Sequence, residues 1–181
     1  RKPQAGDVRV MIAPGEKQSI EMETEIPHEL THIIMYRALG DKYTSQPAWL
    51  LEGIASIVEL YPNSEYARAL DDANQKNNLL SFDGLCVSFP ADARNAFLAY
   101  AQSQSFVTYI RDTYGTSGLT RLTNAYGDGF NCERGATNAL GTPLSQLDTR
   151  WRESVLGQNI AGVAARNLSP FVLLMTIVLV V

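Results

Sequence analysis

The chain reads as a mainly α fold of the α+β kind, with one short strand near its N-terminus and a bundle of helices in its C-terminal half. Three observations predict this. Apolar residues recur at intervals of three and four through most of the 181 residues, the period of a helix with one buried face. β-Branched residues alternate with others over residues 7–13, which is strand-like. Glycine and proline then fall where helices begin and end. A chain of this length can bury one good core, and two full domains are not expected.

In chain order, Val8, Val10 and Ile12 alternate with Arg9 and Met11 before a Pro14-Gly15 turn, which makes residues 7–13 the strand. Proline is tolerated in the first turn of a helix, so Pro27 predicts a helix starting close to it, with Thr24 as N-cap. Leu30, Ile33, Ile34 and Leu39 are expected to face the core until Gly40 ends the helix. Pro47 opens a second helix and Tyr61-Pro62 closes it, with Trp49, Leu50, Ile54, Ile57, Val58 and Leu60 as the face that buries it. Residues 63–80 read as a third helix capped by Asn63, and residues 81–91, with Gly84, Cys86 and Pro90, as a loop. Helical spacing resumes over 97–114 and stops at Gly115. Three short helices follow over 116–126, 131–140 and 143–156, the last with Thr142 as N-cap and Pro143 at the first helical position. No internal repeat is evident.

The stretch that organises the chain is Ile26-Pro27-His28-Glu29-Leu30-Thr31-His32, which holds both histidines of the protein. Four residues on a helix is a little more than one turn, so His28 and His32 project from one face and can close on a single Zn²⁺. Glu29 lies beside them. This is the H-E-x-x-H pattern, in which the carboxylate serves as general base toward the catalytic water. A hydrolytic zinc site wants three protein ligands and an open position. Glu52, in Trp49-Leu50-Leu51-Glu52-Gly53-Ile54-Ala55, supplies the third from the next predicted helix, 20 residues beyond His32. A surface helix that merely carries two histidines and an acid would not predict that second stretch.

These two stretches together resemble the gluzincin metallopeptidases, the thermolysin-like and aminopeptidase group, and most closely their small peptidase MA-like bacterial relatives. The likeness runs from about Ile26 to Trp151. It implies a zincin-like catalytic domain, one zinc ion on His28, His32 and Glu52, Glu29 as base, and a peptide or protein as substrate. In aminopeptidase-like members a tyrosine downstream of the glutamate ligand steadies the oxyanion, and Tyr100 in Tyr100-Ala101-Gln102-Ser103 resembles it. An acid seven residues past the ligand resembles the aminopeptidase partner of a zinc-bound histidine; here that is Glu59, two helical turns beyond Glu52. Thermolysin-like members place the acid where this chain has Ser56. In gluzincins a sheet edge flanks the cleft, and residues 7–13 are the candidate for it, or else an ordinary edge strand. No upstream acidic recognition motif of the aminopeptidases is found, Glu21, Glu23 and Glu25 being a poor substitute, so an endopeptidase is expected. A zinc-stabilised binding or structural module without catalysis is the competing class; it has no use for Glu29.

A net charge of −4 leaves no basic face, so nucleic acid is not an expected partner. Cys86 and Cys132 are too isolated for a Cys-x-x-Cys site and suit one disulfide in an exported protein or two buried thiols in a cytosolic one. The tail changes character after Leu168-Ser169-Pro170, where residues 171–181 are apolar and uncharged apart from Thr176 as the one polar side chain. A span needs about 20 apolar residues, and the run is expected to be the start of a transmembrane helix. The resulting division is a peptidase domain over 1–157 with its N-terminal part truncated, a linker over 158–168, and a membrane segment from 169–181. The expected location is extracytoplasmic and membrane-anchored, at a bacterial-type cell surface. Arg1 in first place suggests a fragment or a processed form.

Overall fold

The computed structural model describes residues 18–157 apart from Pro62. The predicted strand over 7–13 and the apolar run over 171–181 lie outside the described residues. Within them the chain forms seven α-helices and no strand: α1 (Gln18–Leu39), α2 (Ala48–Ser56), α3 (Glu65–Gln75), α4 (Phe82–Leu85), α5 (Ala93–Gly127), α6 (Cys132–Leu140) and α7 (Leu144–Ser154), with a 3₁₀ helix (Gly40–Ser45) joining α1 to α2. None of the helices among the described residues is long and apolar enough to cross a membrane.

α5 is the central element, and α2, α3, α6 and α7 pack around it. Asp92 caps it by accepting from the Asn95 backbone N–H at 2.9 Å. The expected stop at Gly115 is a break inside this element: φ is 71° and ψ 175° there, a conformation open to glycine, and helix resumes at once. Its buried face carries the core. Trp49, Phe82, Phe106, Tyr126 and Trp151 meet there with ring centroids 4.1 to 6.3 Å apart, and all five are essentially without solvent. Aromatic clusters of this geometry add about 0.5–1.5 kcal/mol per pair beyond burial. Cys86, just after α4, is joined to Cys132 at the start of α6 by a disulfide.

α1 differs from the sequence expectation in two ways. It begins at Gln18 and runs through Pro27 rather than starting beside it. Pro27 lacks the N–H that would bond the Glu23 carbonyl, and such an interior proline costs about 3 kcal/mol in an isolated helix. Tertiary contacts of the following turns, whose histidines meet Glu52, Glu59 and Tyr43, offset it. The second difference is which face is buried. Leu30 and Ile34 were expected in the core but are 48% and 58% exposed, in line with Met22 and Ile26. At 100° per residue a helix that turns positions 28 and 32 inward must turn 30 and 34 outward. Ile33 and Leu39 are half-buried.

α2 also stops earlier than expected, at Ser56, with the last bond running from the Ile57 N–H to the Gly53 carbonyl at 3.1 Å. The β-branched pair Ile57-Val58 favours that exit, and Val58 and Leu60 are exposed instead of packed. α3 starts at Glu65, with Asn63 Oδ1 accepting from its N–H at 3.0 Å, and ends at Gln75. The expected loop over 81–91 contains α4. Pro143, not Thr142, holds the cap position of α7; the orphan N–H of Ser145 is met by the Glu133 carboxylate of α6 at 3.1 Å, a remote cap that local sequence does not reveal.

Candidate metal centre

Two neighbouring elements build the site. α1 presents His28 and His32 one turn apart, and α2 presents Glu52 against them. The close approach of α2 to α5 sets where Glu52 stands: a Cβ on Gly53 would lie 2.4 Å from Val107 Cγ2 and 2.6 Å from the Ser103 carbonyl oxygen.

The three nearest polar atoms form an almost equilateral triangle. His28 Nε2 and His32 Nε2 are 3.2 Å apart, and Glu52 Oε2 is 3.3 Å from the first and 3.4 Å from the second. A tetrahedral ion with bonds of about 2.0–2.1 Å separates its ligands by about 3.3–3.4 Å. The donor set therefore fits zinc in both chemistry and spacing, and His28, His32 and Glu52 form a group able to hold a metal ion. Three ligands would leave a tetrahedral ion one corner open to water.

The far nitrogens of both rings are engaged. His28 Nδ1 meets Glu59 Oε1 at 2.8 Å. His32 Nδ1 meets the Tyr43 hydroxyl at 3.1 Å. With a metal on each Nε2, each Nδ1 would be the nitrogen that carries hydrogen, and His28 would donate to Glu59 and His32 to Tyr43. Glu59 reaches His28 from the irregular segment after α2, not from the Glu52 face of a continued helix as its spacing suggested. Tyr43 was not singled out in the sequence. The available signal was an aromatic residue inside the polar run Gly40-Asp41-Lys42-Tyr43-Thr44-Ser45, where burial needs a reason; it is only 6% exposed.

Electrostatics follow from this packing. In the metal-free protein burial opposes charge on His28, but hydrogen bonds to Glu52 and Glu59 outweigh it and the ring is pushed up to about 10. Burial likewise opposes charge on Glu52, and the bonds to His28 and His32 pull it down to about 2. Burial, then the Glu52 and Glu29 carboxylates, push the Tyr43 and Tyr100 phenols up to about 12, so both stay protonated near neutrality. Glu29, one position past His28 on α1, is half-buried. The Tyr100 ring centre lies 6.4 Å from that of His28, and Phe89 packs edge-on against it at 4.9 Å. Of the predicted site residues, His28, His32 and Glu52 come together, Glu59 bonds to His28, and the Tyr100 ring stands beside that of His28.

A helical frame carrying two histidines and a glutamate in this arrangement defines a domain with a candidate metal site. A sequence model of the peptidase MA superfamily matches residues 10–157, and the chain belongs to that superfamily. No curated protein and no solved structure matches it.

Proposed function

We propose that this protein is a zinc-dependent metallopeptidase of the gluzincin type. The observation that carries this is the triangle of Nε2, Nε2 and Oε2 atoms with edges of 3.2 to 3.4 Å, the spacing zinc imposes on three of four tetrahedral ligands. Zinc held there would acidify a water at the fourth position and polarise the scissile carbonyl. Glu29 takes the proton of the attacking water and delivers it to the leaving amine. The Tyr100 O–H, kept protonated by its surroundings, donates to the carbonyl oxygen as negative charge builds, a contribution of about 3–4 kcal/mol for donors of this kind. Glu59 holds the His28 ring through Nδ1 and raises its strength as a ligand.

The substrate is a peptide or protein, and cleavage within the chain is favoured over removal of N-terminal residues because the sequence lacks the upstream acidic recognition motif of the aminopeptidases. An extracytoplasmic, membrane-anchored location is supported by the Cys86–Cys132 disulfide and by the apolar composition of residues 171–181.

The test is zinc content and peptide cleavage in the wild type and in Glu29→Gln. The expected result is full zinc in both and cleavage only in the wild type. Persisting cleavage in the variant removes Glu29 as base. Zinc without cleavage in the wild type points to the binding module instead, for which a retained metal triangle is the supporting observation.

A further inference from the structure

We infer that Tyr43 is a positioning residue for the metal centre: its buried hydroxyl accepts the Nδ1 hydrogen of His32, fixing the ring as the tautomer whose Nε2 lone pair faces Glu52 and His28. The inference rests on the zinc assignment above and adds to it a ligand-orienting group from outside the two motif stretches.

The two imidazoles are supported differently. His28 Nδ1 meets a carboxylate at 2.8 Å, whereas His32 Nδ1 meets a phenol at 3.1 Å. His32 is buried, with 7% of its surface exposed, and Tyr43 is buried with it, so removing the hydroxyl would take from the ring a partner held away from solvent. Without that acceptor, His32 gains by moving its hydrogen to Nε2, where Glu52 Oε2 at 3.4 Å accepts it. An Nε2 that carries hydrogen has no lone pair for a metal. The hydroxyl therefore favours the binding-competent tautomer without placing a second negative charge beside Glu52.

Tyr43 is itself held in place. It sits in the 3₁₀ helix between α1 and α2, and Tyr36 of α1 packs edge-on against its ring at 5.6 Å. The backbone carbonyl of Tyr43 accepts from the Gln46 N–H at 3.2 Å. Gln46 in turn donates through Nε2 to the Lys42 and Thr123 carbonyls at 3.1 and 2.9 Å, which ties the connecting segment to α5. The orientation of His32 is thus referred to the central helix through a path separate from that of Glu52.

The experiment compares the wild type with Tyr43→Phe, which keeps the ring and removes only the hydroxyl. Zinc affinity is measured by competition with a chromophoric chelator, metal-free stability by denaturant unfolding, and the state of His32 by ¹⁵N NMR of the zinc-loaded protein. The expected zinc Kd of the variant is about 10–100-fold higher, the usual loss when the partner of a ligating histidine is removed. The wild type should show a slowly exchanging hydrogen on His32 Nδ1 that the variant lacks. A variant with the wild-type Kd overturns the inference, as does a zinc-loaded wild type whose His32 carries no Nδ1 hydrogen; the latter needs no variant to fold. A wild type that binds no zinc at all removes the proposed function as well, which separates the two failures.

Discussion

The position of Glu52 depends on a residue with no side chain, and replacing it tests the whole construction of the site. In Gly53→Ala the new methyl would stand 2.4 Å from Val107 Cγ2 and 2.6 Å from the Ser103 carbonyl oxygen. Carbon contacts are comfortable at about 3.5–4.0 Å. Val107 can yield by rotating, but the Ser103 carbonyl is backbone of α5 and cannot. α2 must therefore lift by roughly 0.7–1 Å to restore contact distance. Overpacking of this kind costs about 1–3 kcal/mol, less than the 5–15 kcal/mol that typically holds a domain, so the variant should fold. Glu52 is bonded directly to residue 53 and moves with it. A displacement near 1 Å spreads the ligand triangle beyond what a tetrahedral ion spans and can lower turnover by about 100-fold. Denaturant unfolding of the metal-free protein, zinc affinity and peptide cleavage should then fall together. A Gly53→Ala protein with unchanged midpoint and unchanged zinc affinity would refute the close approach as the element that seats Glu52.

Two further expectations concern covalent and ionic support. Cys86 and Cys132 close a loop of 46 residues, for which the chain-entropy estimate is about 4 kcal/mol. Reduction, or Cys86→Ser with Cys132→Ser, should lower the unfolding free energy by up to that amount, and an unchanged midpoint would remove the bridge from the stabilising set. In metal-free protein His28 is raised from 6.5 to about 10, so its contribution is full below pH 6.5 and is lost as pH rises toward 10. Glu52 is lowered from 4.5 to about 2, so its contribution is present above pH 4.5 and is lost as pH falls toward 2. Metal-free stability should peak between those limits, at about pH 4.5–6.5. Zinc, which displaces the His28 proton, should bind more tightly as pH rises through the same upper range. Melting curves from pH 3 to 10 with and without zinc check both slopes, and a flat metal-free profile would rule out the His28–Glu52 pair.

Much of the centre was legible because it is local. The i, i+4 spacing of His28 and His32 fixes a shared helical face whatever surrounds it, and the second motif stretch places a carboxylate on the helix that must pack against the first. The interaction of Glu59 with His28 was anticipated for a reason that did not survive: the seven-residue interval assumed a helix to Tyr61, whereas α2 ends at Ser56 and Glu59 arrives from irregular chain. The burial of Leu30 and Ile34 was misjudged because apolar residues lie on more than one side of α1, and periodicity alone does not choose which side turns inward. The need of the two histidines to meet Glu52 makes that choice.

By itself the sequence determined the residue types and spacings that a metal requires, since a helix of fixed pitch converts spacing directly into direction. Whether those side chains converge was decided by contacts between residues far apart in the chain: Gly53 on Ser103 and Val107, Tyr43 on His32, and an α1 that runs through Pro27 rather than starting there. Such contacts depend on the distance between helix axes and on where irregular segments pass, and neither quantity has a local period to be read.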